Sequence, residues 1–240
     1  MIASMNILVL QPYPELPLTV REAGRGRPVL VLHGGGGLEV MADLVEHLAA
    51  DHRVIAPVHP GWGGTPRPDW FTGVDGLVET YLDLLDDLGL DDVTVVASSF
   101  GGWIGAEMAV RDRGRRIGRL VLLNAAGPRI TGAPLGFGPG SPARGDGPPA
   151  AAVQLMLPYT GPALQDPKLA TRLARVAVPV LVVWGEDDVL LTPGYGRGYA
   201  AAIPEARFEL VPGAGHLPWL DRLDDVLAVV AEFLKGDRDD

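Results

Sequence analysis

Short apolar runs alternate with amphipathic ones along almost the whole chain, and this alternation constrains the fold more than any other feature. Eight runs read as strands: Ile7–Leu10, Leu18–Glu22, Pro28–Leu32, Arg53–Ala56, Val93–Ala97, Arg119–Leu123, Val180–Trp184 and Phe208–Val211. Five segments between and after them read as helices: Glu39–Ala50, Asp75–Leu88, Gly102–Arg113, Pro193–Ala202 and Arg222–Leu234. In the second of these, Val78, Leu82, Leu85 and Leu88 recur at helical spacing, while Glu79, Asp83, Asp86 and Asp87 face away. Several central strand candidates are apolar throughout, as strands covered on both faces must be. The pattern predicts an α/β fold: a mostly parallel, eight-stranded open sheet with helices on both faces. The turn-rich link Gln11–Glu15 predicts an antiparallel hairpin at its start.

A chain of 240 residues with 47% hydrophobic residues can bury one large core, so residues 1–240 are expected to form a single domain. Pro128 to Pro167 breaks the alternation. It is dense in Gly and Pro, with one helical possibility at Ala150–Leu157. This stretch is read as a short, reduced lid, an insertion covering about residues 128–175. The tail Gly236–Asp240 is expected to fray.

A net charge of −10 argues against nucleic-acid partners. The lack of cysteine excludes disulfides and thiolate metal sites. Met1–Met5 carries no basic run, Asn6–Leu10 is too short for a signal-peptide core, and no stretch reaches the ~20 apolar residues of a membrane span. A soluble cytoplasmic protein with no membrane partner is expected. The pairs Asp86-Asp87, Asp91-Asp92 and Asp224-Asp225 read as solvated faces and caps, so neither metal nor cofactor is expected. Trp62 and Trp70 read as core packing, with a lid contact or dimer surface as alternatives; oligomeric state is not legible.

The chemistry concentrates in four loops. Ala97-Ser98-Ser99-Phe100-Gly101-Gly102 joins a strand to a helix. A serine between small residues at such a junction can sit on a tight turn with its hydroxyl above the sheet. Ser99 is preferred to Ser98, because Ala97 and Gly101 then occupy the positions that must be small. The rival reading is an ordinary helix cap. Of the five histidines, His216 lies in a loop after the last strand, where it can serve as base. Asp188, following Trp184-Gly185-Glu186-Asp187, is the orienting acid, with Asp187 second. The other usual place for this acid, the end of the preceding strand, holds Asn124, which cannot ionise. The order Ser99, Asp188, His216 is that of α/β-hydrolases.

His33-Gly34-Gly35-Gly36-Gly37 is the fourth loop. The amide of Gly35, or Gly36, together with that of Phe100, is expected to form an oxyanion hole. No Lys-Ser or Lys-Thr follows, against a phosphate loop. His33 reads as a structural histidine bonding loop backbone, and His47 and His52 as solvent-facing. Trp103, Leu190, Leu217 and Trp219 are chosen by adjacency as pocket residues.

At these residues the chain resembles the α/β-hydrolase superfamily, from about Leu18 to Leu234. The likeness rests on His33-Gly34, the run His59-Pro60-Gly61-Trp62-Gly63-Gly64-Thr65, the serine elbow, Trp184-Gly185-Glu186-Asp187-Asp188 and Gly215-His216-Leu217-Pro218. It implies a serine hydrolase acting on an ester, lactone or related acyl bond of a small organic substrate. The elbow and glycine loop also look like those of carbon–carbon bond hydrolases of ring-cleavage pathways, and some relatives of this fold only bind ligands. Ser99 argues against the haloalkane dehalogenases and epoxide hydrolases, which use aspartate there. Three positions depart from the pattern: Ala97 replaces the usual glycine, Arg222-Leu223 stands where an acidic residue and proline are common, and the lid is short. An arginine to hold a substrate acid group is not assignable; Arg129, in the lid, is the candidate.

Overall fold

A computed structural model describes residues 6–137 and 149–235. All eight predicted strands are present: β1 (Asn6–Tyr13), β2 (Leu16–Ala23), β3 (Arg27–Leu32), β4 (His52–Pro57), β5 (Val93–Ser98), β6 (Ile117–Leu123), β7 (Val180–Gly185) and β8 (Arg207–Val211). They form one sheet in the order β1-β2-β4-β3-β5-β6-β7-β8. The β1–β2 and β2–β4 pairs are antiparallel and the rest are parallel. The strands β5 and β7 are buried at every position, which is why their sequences lack polar alternation.

The helices are α1 (Ala42–Leu48), α2 (Gly73–Asp87), α3 (Phe100–Asp112), α4 (Ala150–Thr160), α5 (Leu169–Leu173), α6 (Pro193–Ala201), α7 (Pro218–Asp221) and α8 (Leu223–Lys235). Helices α2 and α3 pack side by side on one face of the sheet. On the other, α1 and α8 line a common groove. Helix α3 is buried around its whole circumference from Phe100 to Val110. It approaches β5 closely through Gly105, where an added Cβ would lie 3.0 Å from the Ala97 Cβ. The alanine that departs from the family's glycine is therefore matched by a glycine opposite.

Some boundaries differ from the sequence expectation. The hairpin turn is only Pro14-Glu15, with Tyr13 paired to Leu16. Pro12 is tolerated inside β1 because β1 is an edge strand. The first helix starts as a 3-10 turn, Leu38–Met41, after Gly37 at φ 86°. The last expected helix, Arg222–Leu234, is α8, and a short helix not expected, α7, precedes it, set off by Arg222 at φ −142° and ψ 56°.

The excursion after β6 leaves and returns at one point. The Asp166 amide donates to the Gly127 carbonyl at 2.7 Å, and the Arg129 amide donates to the Asp166 carbonyl at 3.1 Å. Helix α5, unforeseen in the sequence, carries Arg172 into an ion cluster with buried Glu107 on α3 and with Asp166 at 2.8 Å. Residues 138–148 of the expected lid and the expected frayed tail, Gly236–Asp240, lie outside the described residues. Among the described residues, no helix is long and apolar enough to cross a membrane.

Candidate active site

The strand β5 ends and α3 begins with no intervening loop, so Ser99 must reverse the chain by itself. It does so at φ 50° and ψ −116°, a backbone conformation that costs a non-glycine residue energy and that the surroundings must enforce. The Ser99 amide donates to the Leu123 carbonyl at 3.1 Å, and the Ser99 carbonyl accepts from the Ala126 amide at 2.9 Å, so β6 and its following loop clamp the turn. Gly101 and Gly102 are obligatory. A Cβ would meet the Leu32 carbonyl oxygen at 2.2 Å in the first and the Ala125 Cβ at 2.3 Å in the second.

The Ser99 Oγ lies 3.0 Å from His216 Nε2, and His216 Nδ1 lies 2.8 Å from Asp188 Oδ2. The loops after β5, β7 and β8 thus bring the three sequence-selected side chains into one hydrogen-bonded row. The loops of Gly185 and Gly215 touch: a Cβ on Gly185 would meet the Gly215 carbonyl oxygen at 2.1 Å. The Gly215 amide is held in turn by Asp221 Oδ2 at 2.8 Å.

Asp188 is buried and saturated with donors. Its Oδ1 accepts from the Leu190 and Leu191 amides at 2.8 and 2.9 Å; its Oδ2 accepts from Asn124 Nδ2 at 2.6 Å. With a carboxylate filled in this way, the remaining partner, His216 Nδ1, is the protonated ring nitrogen, leaving Nε2 free to accept the serine proton. Asn124, considered in the sequence only for an acid it lacks, is a partner the sequence reading missed. Its amide bridges β7 and the acid, for its Oδ1 also accepts from the Gly185 amide at 3.1 Å. The signal was a polar residue capable of donating at the end of an apolar strand. Asp187 is exposed and points to no partner of this row.

The glycine loop runs directly against the serine: a Cβ on Gly34 would lie 2.9 Å from the Ser99 Cβ. Among the described residues, the amides of Gly35, Gly36 and Phe100 have no backbone partner. Beneath the loop, His33 and His59 are fully buried with ring centroids 3.7 Å apart. The His59 amide donates to His33 Nε2 at 3.0 Å, so His33 Nδ1 carries the proton it gives to the Gly34 carbonyl at 2.7 Å. His59 Nε2 donates to the His33 carbonyl at 2.9 Å, and its Nδ1 accepts from the Tyr81 hydroxyl at 2.5 Å. Both rings are satisfied as neutral tautomers. Burial accordingly pushes the His33 imidazole down to about 4, and burial, reinforced by the neighbouring His33, holds that of His59 well below the ordinary histidine range.

A cavity of about 280 Å³ is lined by Ser99, His216 and the loop Gly34–Gly37. Trp103, Leu190, Leu217 and Trp219 also line it. Helix α4 roofs it with Ala152 and Met156, which the sequence reading did not name because the excursion lacks periodicity. Among the described residues, no side chain lining it is an acid, a lysine or an arginine. Arg129 is exposed and does not line it, and among the described residues no group of three His, Asp or Glu side chains converges as a metal site would need.

The sequence profile described as "Alpha/beta hydrolase family" matches residues 29–229. The chain belongs to this family. Among curated relatives of this α/β hydrolase is the 2-hydroxy-6-oxo-2,4-heptadienoate hydrolase of Pseudomonas putida, 38% identical over 113 residues; the match spans 45% of this chain but only 41% of that enzyme. The poly(3-hydroxyalkanoate) depolymerase of Ectopseudomonas oleovorans is 28% identical over 243 residues, covering 88% of this chain and 85% of the relative. A solved structure of a meta-cleavage product hydrolase from Pseudomonas fluorescens superimposes with a TM-score of 0.74 at 20% identity, over 98% of each chain, a likeness of fold.

Proposed function

We propose that this α/β hydrolase is a serine hydrolase that cleaves an ester, lactone or related acyl bond of a small, largely apolar substrate. Ser99 attacks the carbonyl carbon as His216 Nε2 takes its proton. Asp188 holds the imidazole and stabilises it when charged. The amides of Phe100 and Gly35, with Gly36 close by, receive the negative charge of the tetrahedral intermediate. His216 returns the proton to the leaving group, and water then releases the acyl-enzyme by the same steps in reverse order. Part of the excursion acts as lid, with α4 over the cavity. The observation that carries this reading is the row Ser99–His216–Asp188, at 3.0 and 2.8 Å, opening on an apolar cavity.

A carbon–carbon bond hydrolase is the second reading, favoured by the identity to the heptadienoate hydrolase. The lack of a lysine or arginine on the described cavity wall weighs against it, because a substrate carboxylate buried without a cation is costly. The test is a panel of activated short-chain esters, lactones and a ring-cleavage diketone, run beside labelling by a fluorophosphonate. Wild type should hydrolyse esters and label; Ser99→Ala should lose labelling and turnover, on the order of 10⁴-fold or more. Full ester turnover by Ser99→Ala would refute the mechanism, and consumption of the diketone alone would favour the second reading.

A further inference from the structure

A loop of four glycines has broad conformational freedom, so amides aimed at a transition state from such a loop need restraint from outside it. Two carbonyls of the loop are pinned. The Gly34 carbonyl accepts from His33 Nδ1 and, at 3.1 Å, from the Gly37 amide. The Gly35 carbonyl accepts from the indole Nε1 of Trp62 at 2.8 Å. In a planar trans peptide the N–H points opposite to the preceding C=O. Holding the Gly34 carbonyl therefore sets the direction of the Gly35 amide, and holding the Gly35 carbonyl sets that of Gly36.

Trp62 also touches the other half of the same site. Its buried ring stacks on Phe100, whose amide is the second proposed donor, at 5.8 Å between centroids and 16° between planes. The same ring also stacks on Tyr159 of α4 at 5.9 Å and 29°, and Tyr159 meets Phe100 directly at 5.9 Å, so the three rings form one cluster. Tyr159 is anchored through its hydroxyl to the Pro60 carbonyl at 2.7 Å. One side chain thus bonds the glycine loop, packs against the serine elbow and carries the helix that roofs the cavity.

We infer that Trp62 is a positioning residue for the oxyanion hole: its indole N–H fixes the Gly35–Gly36 peptide against the elbow, and its stack with Tyr159 ties that geometry to the seating of α4. This rests on the reading of Ser99 as a nucleophile toward a carbonyl. Because the bond acts on charge that develops only in the transition state, its loss lowers kcat and leaves KM nearly unchanged.

The test compares wild type with Trp62→Phe and with a full chain carrying 3-benzothienylalanine at position 62, which keeps the bicyclic ring and both stacks but has no N–H. Kinetics on one activated ester, inhibition by a matching trifluoromethyl ketone, inhibition by the carboxylate product, and a thermal melt are measured together. The expected result for the benzothienyl protein is a kcat about 10- to 100-fold lower, below the full loss of a direct donor. Ketone affinity should weaken by a similar factor, with KM, product affinity and melting temperature close to wild type. A benzothienyl protein with wild-type kcat and ketone affinity overturns the inference, even if Trp62→Phe is poorly folded. So does a loss confined to melting temperature, or one equal in KM and product affinity. If wild type neither takes a fluorophosphonate at Ser99 nor binds the ketone, the serine-hydrolase reading has failed first and the inference falls with it.

Discussion

Asp188 and the glycine loop flank the same serine yet are held in opposite ways. Asp188 is fixed mainly by its own neighbourhood: two amides of the turn that follows it, plus the Asn124 amide, bond its oxygens directly. The loop Gly34–Gly37 has no side chains, and donors from His33 and Trp62 hold its carbonyls. One side of the site is therefore secured by hydrogen bonds to the functional group itself. The other is secured at one remove, through the backbone that carries the amides proposed for the oxyanion hole. Changes on the first side should alter the chemistry with the geometry intact. Changes on the second should alter the geometry with the chemical groups intact.

The largest effect should come from Asp188→Asn. The variant's side-chain oxygen can still accept from the Leu190 and Leu191 amides, so the turn should hold. Its NH₂ then faces the Asn124 NH₂ and His216 Nδ1, which favours the imidazole tautomer that cannot accept the Ser99 proton. A fall in kcat on the order of 10⁴-fold is expected at pH 7, with a melting temperature within a few degrees of wild type. Steady-state kinetics and a thermal melt check both halves. A loss below tenfold would mean that Asp188 does not orient the base.

Gly34→Ala probes the other side. The residue has no positive φ, so alanine suits the backbone, but its Cβ would stand 2.9 Å from the Ser99 Cβ and 3.6 Å from its Oγ. Loop and serine must separate by several tenths of an ångström. Displacement of this order in a reacting constellation costs roughly 10²-fold in kcat. Fluorophosphonate labelling should slow with kcat, while the melt changes less. Equal labelling rates in variant and wild type would show that the loop does not meet the serine during reaction.

The contrast also explains what was legible beforehand. Strands β3 and β5 through β7 are largely apolar runs whose bounds shifted by no more than two residues, because burial on both faces leaves a strong compositional mark. Ser99 and Asp188 could be selected because each is a polar side chain in a short loop after such a strand, and His216 because it follows the last strand in a loop of the same kind. Asn124 was weighed for charge when its contribution is a hydrogen-bond donor. Trp62 was read as core, which its burial satisfies, but its N–H bond to a glycine carbonyl belongs to no sequence period. Helix α5 is five residues long; Leu169 and Leu173 reach the core while Arg172 joins the ion cluster, but a single turn is too short for its apolar pair to stand out as a period.

The smallest effect concerns the histidines beneath the loop, and it separates the two sides by pH. His33 is held neutral by burial, with its folded value near 4 against about 6.5 in an unfolded chain. Between these values the unfolded state binds a proton that the folded state refuses, so stability is full above about 6.5 and declines as pH falls toward 4. From pH 7 to pH 5.5 the His33 contribution should fall by about 1 kcal/mol, and His59 acts in the same direction. The His216 side chain, by contrast, is 18% exposed. Urea unfolding at the two pH values should show the loss in wild type. His33→Asn should be less stable at pH 7 yet lose less on acidification. In the folded protein, the His33 ring resonances should stay unshifted down to pH 5. A His33 titration near 6.5 would show that the ring reaches water, and with it that the loop above is not held from below.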